Sequence, residues 1–122
     1  KLKYVLIVVK EKMNPEIWGP HTWFLMHSIA FNYPNHPTSK EKEDTKIFFS
    51  NLKNVLPCLK CRHEYKKLLD KYPIKDNVLK SQYSLVKWLI KIHNDINERL
   101  NKRKETYKEI VKKYERIYDM KF

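Results

Sequence analysis

Glycine is almost missing from this chain: among 122 residues it occurs once, at Gly19. That excludes an architecture built on glycine-dependent tight turns and points to a compact helical domain. Cysteine is nearly as scarce. With only Cys58 and Cys61, the chain cannot build the multi-bridge framework of a small secreted protein, so packing must carry its stability. No apolar run reaches the roughly 18 residues that cross a bilayer, which argues against stable membrane insertion. Acids are in deficit, 14 against 26 Lys and Arg, leaving a formal charge of +12 that attracts anions in general. Yet neither zinc-finger spacing nor a glycine-bearing RNA-binding strand motif accompanies that charge, so no specific nucleic acid partner is expected. Repeats and low-complexity tracts are absent.

What is present suits one folded domain. Hydrophobic residues make up 42%, with three Trp and eight Tyr, far from the composition of a disordered chain. A chain of this length supports one core and buries roughly two thirds of its unfolded surface. The longest apolar run, residues 2–9, is interrupted by Lys3 and reads as a short strand or an extended arm. As the start of a signal segment it lacks a small-residue cleavage pattern and runs into Lys10-Glu11-Lys12. The expectation is an N-terminal extension over residues 1–12 and a single functional domain over 13–122.

Apolar spacing and prolines divide that domain into helices. The first spans 20–30, with Pro20 near its start and Trp23, Met26, His27 and Ala30 on one side; Pro34 and Pro37 terminate it. The second is capped by Thr38 or Ser39, buries Ile47, Phe48, Asn51, Leu52 and Val55, and closes at Leu56-Pro57. A third begins around Cys58, carries Cys61, Tyr65, Leu68 and Leu69 along one face, and ends at Tyr72-Pro73. Residues 74–79 read as a loop or a poorly formed turn. The fourth runs over 81–100 with Leu85, Trp88, Leu89, Ile92, Ile96 and Leu100 at helical spacing. A basic helix over 106–118 buries Tyr107, Ile110, Val111, Tyr114 and Ile117. Short loops between amphipathic helices imply an all-α fold, a four-helix bundle with a short fifth helix across or beside it.

The chemistry concentrates at Leu56-Pro57-Cys58-Leu59-Lys60-Cys61. A dithiol at a helix N-terminus meets free backbone N–H groups and the positive helix end, which favour a thiolate. Redox exchange is the functional reading; a short-range structural disulfide or two space-filling thiols is the plain one. On the fourth helix, His93-Asn94-Asp95-Ile96-Asn97 projects an imidazole and two amides from nearly one side. Either a hydrogen-bonded helix-terminal network or a ligand with rings and polar edges satisfies them. His27 poses the same choice, and Trp18 and Trp23 nearby suit a flat cofactor. Lys102 could neutralise a phosphate or simply be solvated. Zinc bound by Cys58, Cys61, His27 and His93 is a competing arrangement, although no second cysteine pair completes the commonest structural site.

Three ordered motifs carry a resemblance. Met13-Asn14-Pro15-Glu16-Ile17-Trp18-Gly19-Pro20-His21-Thr22-Trp23 with Met26-His27-Ser28-Ile29-Ala30 and Tyr33-Pro34 resembles the N-terminal signature of the Erv/ALR family of FAD-linked sulfhydryl oxidases. Leu56-Pro57-Cys58-Leu59-Lys60-Cys61-Arg62 is similar to its active-site motif, and the segment from His93 to Lys102 to its flavin motif. The resemblance covers residues 13–118, and the compact form is similar to members encoded by large DNA viruses, for which host cytoplasm or virion is the implied location.

The resemblance implies a bundle that binds FAD, with Cys61 facing the flavin and Cys58 attacked by substrate thiols. It implies that Trp18, Gly19, Thr22, Trp23, His27 and Tyr33 wall the flavin. His93, Asn94, Asn97, Leu100 and Lys102 would hold the adenine, ribose and diphosphate end, and Tyr114 the family's C-terminal aromatic position. It further implies oxidation of a protein dithiol, thioredoxin-like proteins among the candidates, with O₂ as acceptor and H₂O₂ as product, in a homodimer. Pro20 stands where the family often has a basic residue, and a second CxxC that could act as a shuttle is absent from this sequence. A non-enzymatic helical interaction module with a structural or zinc-binding CxxC is the rival, and it predicts no flavin.

Overall fold

Asn14 and Pro15 start the first helix. The Asn14 side chain accepts a hydrogen bond from the Glu16 N–H at 2.9 Å, and Pro15 sits where no N–H partner is needed. Helix α1 therefore runs Pro15–Asn32, in a computed structural model that describes residues 13–122. The expected extension over 1–12 lies outside the described residues. The start expected at Pro20 is corrected by five residues: Pro20 is inside the helix. It denies the Glu16 carbonyl its helical donor, but Glu16 is exposed and water can serve. The Trp18 indole donates to the Met13 carbonyl at 2.9 Å and fastens the added turn.

The later boundaries follow their caps. Thr38 and Glu41 form a reciprocal capping box that opens α2, Ser39–Val55. Pro57 separates it from α3, Leu59–Lys71, whose N-cap is Cys58. Residues 74–79, expected to be a loop, contain the single-turn helix α4, Asp76–Leu79. Buried Ile74 and Leu79 anchor it, and the Tyr33 hydroxyl donates to the Leu79 carbonyl at 2.6 Å. Ser81 caps α5, Gln82–Arg99, and Thr106 with Glu109 caps α6, Tyr107–Tyr118.

Four long helices, α1, α2, α3 and α5, make an all-α bundle, with α1 on α5 and α2 on α3. Phe49 of α2 meets Trp88 of α5 edge-on, with ring centres 5.5 Å apart. The Tyr65 hydroxyl of α3 donates to the Phe49 carbonyl at 2.7 Å, and the Trp88 indole donates to the Tyr72 carbonyl at 2.7 Å. Asp95 ties α5 to the far end of α3. It accepts from Lys71 at 2.8 Å, the Tyr72 hydroxyl at 3.1 Å and Arg99 at 2.9 Å, while Arg99 also reaches Glu64. Helix α6 lies against α1 through Tyr114, whose ring packs on Phe24 and Phe31.

Three buried stripes need correction. On α2 it is Phe49, fully buried, that enters the core; Ile47, Phe48, Asn51 and Val55 face outward and only Leu52 of the expected set packs inward. Leu100 is exposed at the end of α5, and Ile117 is exposed on α6. Burial of Phe49 predicts that Phe49→Ala costs about 3–5 kcal/mol, against less than about 1 kcal/mol for Phe48→Ala. Urea unfolding followed by circular dichroism measures both, and the larger loss at Phe48 would reverse this register.

Candidate functional site

Two groups of residues carry chemistry. The first is the Cys58–Cys61 disulfide, Cα atoms 5.1 Å apart, at the start of α3. Spacing of three across an N-cap brings the sulfurs together without bending the helix. Cys58 Sγ also accepts the Cys61 backbone N–H at 3.1 Å, as an N-cap side chain does. Arg62 leans back and donates to the Leu56 carbonyl at 2.6 Å, fastening the turn before the pair. Cys58 is 6% exposed and Cys61 is the more open of the two. Among the described residues no three or more His, Cys, Asp or Glu side chains gather as a metal site. Both sulfurs are consumed in the S–S bond, so the zinc arrangement has no thiolates here.

The second group is a seam of rings between α1, α5 and α6. His27 Nε2 and His93 Nδ1 share a hydrogen bond of 2.9 Å. Trp23 lies flat on His93, ring centres 3.9 Å apart and planes within 4°, and Tyr114 closes the other side of His27 at 5.5 Å. His27 Nδ1 is buried without a hydrogen-bond partner among the described residues. Burial, then the His93 ring, then Lys113 hold the His27 pKa down to about 3. Burial, then Lys113, then Lys102 lower His93 to about 4. Both rings are neutral at pH 7.

Past His93, the chain turns sharply. Asn101 adopts the left-handed conformation, φ 56°, and the Lys102 and Asn101 N–H groups bond to the Asn97 and Glu98 carbonyls. This is a Schellman turn built on asparagine instead of glycine. Asn94 uses both ends of its amide on Glu105, donating to the carbonyl at 2.7 Å and accepting the N–H at 2.9 Å. The turn leaves Lys102 exposed, with no ion pair among the described residues.

Residues 20–115 match the Erv1/Alr family. The chain belongs to the Erv1/Alr family. It is 43% identical over 104 residues to a probable FAD-linked sulfhydryl oxidase of Acanthamoeba polyphaga mimivirus, covering 85% of this chain and 73% of that protein. An FAD-linked sulfhydryl oxidase of African swine fever virus is 32% identical over 102 residues, 84% of this chain and 80% of that protein. Cellular relatives are longer: the chain spans 46% of the mitochondrial FAD-linked sulfhydryl oxidase of Schizosaccharomyces pombe, at 36% identity over 84 residues. The crystal structure of the FAD binding domain of Erv1 from Saccharomyces cerevisiae shares the fold, TM-score 0.72 at 30% identity, over 77% of this chain and 87% of that one.

Within this Erv1/Alr fold the expected site residues divide. Trp23, His27, His93 and Tyr114 are in mutual contact. Trp18 and Thr22 are half-buried one turn apart on α1, N-terminal to Trp23, joined by the Thr22 hydroxyl donating to the Trp18 carbonyl. Gly19 lies between them, and a methyl group there would meet nothing within 4 Å. Tyr33 is committed to Leu79 and Asn94 to Glu105, Leu100 is exposed, and Asn97 engages the turn through its carbonyl. Sequence reasoning missed Lys113, whose charge reaches both histidines. No motif marks it; only its place one residue before Tyr114 could have drawn notice.

Depressed histidine pKa values make stability depend on pH. Between pH 6.5 and about 4 the unfolded chain takes up protons that the folded rings refuse, so stability is full above 6.5 and falls as pH drops through that window. The limiting slope is about 1.4 kcal/mol per pH unit for each proton refused. Thermal unfolding at a series of pH values should show it, and His27→Gln with His93→Gln should flatten it. An unchanged slope in that double variant would place the titration elsewhere.

Proposed function

We infer that this chain is a flavin-dependent thiol oxidase, converting protein dithiols to disulfides with O₂ as acceptor and H₂O₂ as product. The observation that carries it is the Cys58–Cys61 disulfide at the start of a bundle helix in a member of the Erv1/Alr family. FAD is the cofactor. The residues present fit it: flat rings at Trp23 and His93, a buried unpartnered nitrogen on His27, and the charges of Lys102 and Lys113 for a diphosphate. Trp18, Gly19, Thr22, Trp23, His27, Tyr33 and Tyr114 are our choice for the flavin side, and His93, Asn94, Asn97, Leu100 and Lys102 for the nucleotide end.

A substrate thiolate attacks Cys58 Sγ, the Cys58–Cys61 bond breaks, and Cys61 leaves as thiolate. The second substrate thiolate then attacks the substrate sulfur of the mixed disulfide, forms the substrate disulfide and releases Cys58. The Cys61 N–H at 3.1 Å and the positive helix end stabilise that departing Cys58 thiolate. The electron pair now resides on the two cysteines. The chemistry FAD supplies when bound is acceptance of that pair and its delivery to O₂.

The assignment of Cys58 as the attacked sulfur rests on the family resemblance, since Cys58 is the less exposed of the pair. Cys61→Ser should keep bound FAD, lose its reduction by dithiothreitol under anaerobic conditions, and let the Cys58 thiol exchange with a single-cysteine substrate supplied as its thionitrobenzoate mixed disulfide, forming the enzyme–substrate disulfide on Cys58 with thionitrobenzoate as leaving group. That disulfide forming only on Cys61, in Cys58→Ser, would exchange the two roles. His93→Ala should lower FAD retention on gel filtration, and unchanged retention would make His93 purely structural.

A homodimer is part of the proposal, supported by Ile17 and Leu25 on α1 and Ile47 and Phe48 on α2, which face solvent in one chain. Sedimentation equilibrium should give twice the chain mass and Ile47→Glu should shift it toward one, whereas a monomeric parent would remove the dimer. Among the described residues no helix is long and apolar enough to cross a membrane.

A further inference from the structure

Away from the disulfide and the histidines, a groove of about 530 Å³ lies between the end of α3, α4 and one face of α5. Lys71, Lys75, Lys80, Lys87 and Lys91 line it, and no acidic residue does. Lys71 is paired with Asp95; the other four have no ion pair among the described residues. Lys87 and Lys91 stand one turn apart on α5, a like-charge spacing that costs a helix stability. Buried Trp88 and half-buried Val78 give the groove apolar surface. Tyr83, 52% exposed, holds Lys87 at 4.9 Å from its ring centre.

Helix α3 connects this groove to the redox pair. Its 13 residues, Leu59–Lys71, separate the disulfide from Lys71 by roughly 18–20 Å at the usual helical rise. About six extended residues of another chain cover that distance, so one substrate can touch both places. We propose that the groove docks an acidic segment of the protein dithiol that the chain oxidises, a reading that rests on the oxidase assignment above. A single-stranded nucleic acid would use the same lysines, but it favours a series of exposed ring faces, and Tyr83 is the one exposed aromatic residue in the lining. Docking acts as a tether: it raises the local concentration of the dithiol and lowers KM with little change in kcat. Its strength falls with salt.

Two peptides with the same Cys-X-X-Cys dithiol, linked through Gly and Ser to a run of Glu or a run of Gln, test this. At low salt the Glu peptide should have a KM about tenfold lower, shrinking to less than about twofold near 0.5 M salt. Lys75→Glu with Lys87→Glu should abolish the difference, while dithiothreitol oxidation and flavin absorption stay as in the parent. Fluorescence anisotropy of a labelled, cysteine-free Glu peptide should show binding to the parent and none to the variant. Equal KM values for both peptides would overturn the proposal, as would a preference that survives in the variant. An oligonucleotide bound at these lysines that the Glu peptide cannot displace would also overturn it. Loss of dithiothreitol oxidation in the parent counts against the oxidase reading alone, because the anisotropy needs no turnover.

Discussion

The hydrogen bond between His27 and His93 is the constraint on which the site depends. One ring must donate and the other accept, so a proton added to the accepting nitrogen would set two donors against each other. Burial opposes the same proton for a different reason, the loss of hydration around a charge. The two effects reinforce one another, and the pair stays neutral while Lys102 and Lys113 surround it with positive charge. Through this bond α1 and α5 share a fixed separation, and Trp23 can lie flat on His93. The next residue, Asn94, pins Glu105 and so sets where α6 begins. One helical turn thereby positions elements from three parts of the chain.

A different device orients the disulfide. Helix α3 is held at its start by the N-cap at Cys58 and at its end by Asp95, whose side chain is only 9% exposed and collects three donors. The Lys71 hydrogen bond is the main reason the Asp95 carboxyl stays below its usual range; burial pushes the other way, and the Tyr72 hydroxyl adds to the lowering. A helix fastened at both ends cannot roll about its axis without breaking that ionic contact. The direction in which the two sulfurs face is therefore coupled to charges a helix length away, on the same α5 that bears His93.

Much of this was legible in the residues, and the misses have physical causes. Pro57, Pro73, Thr38, Ser81 and Thr106 act locally, so the boundaries they impose could be read without tertiary information. The start of α1 was misplaced because Pro20 suits a helix N-terminus, while the stronger Asn14-Pro15 signal lies five residues earlier. Ile47, Phe48 and Phe49 are consecutive, and that triplet admits two inward stripes; the Trp88 and Tyr65 contacts select the one through Phe49. The cysteine pair and the His-Asn segment were visible because their members are neighbours in sequence. Lys113 and the lysine groove were not, because several elements assemble each of them. Asn94 meets main-chain atoms of Glu105, and a carbonyl leaves no signature in residue type.

The net charge of +12 does not describe how charge acts on this molecule. Lys40 with Asp44, Lys104 with Glu98, Arg103 with Glu109, and Arg99 with Asp95 and Glu64 neutralise one another on the surface. Among the described residues, cations outside these pairs include Lys102 and Lys113 beside the ring seam and Lys75, Lys80, Lys87 and Lys91 along the groove beneath α4. At physiological salt an exposed charge is screened within about 8 Å, so the chain-wide total acts weakly and local arrangements decide. In the two readings proposed above, anion recognition belongs to local arrangements: a pair of lysines at rings for a dinucleotide phosphate, and a row of lysines over an apolar floor for carboxylates on a peptide. Selecting between them requires shape as well as sign, which a count of lysines cannot supply.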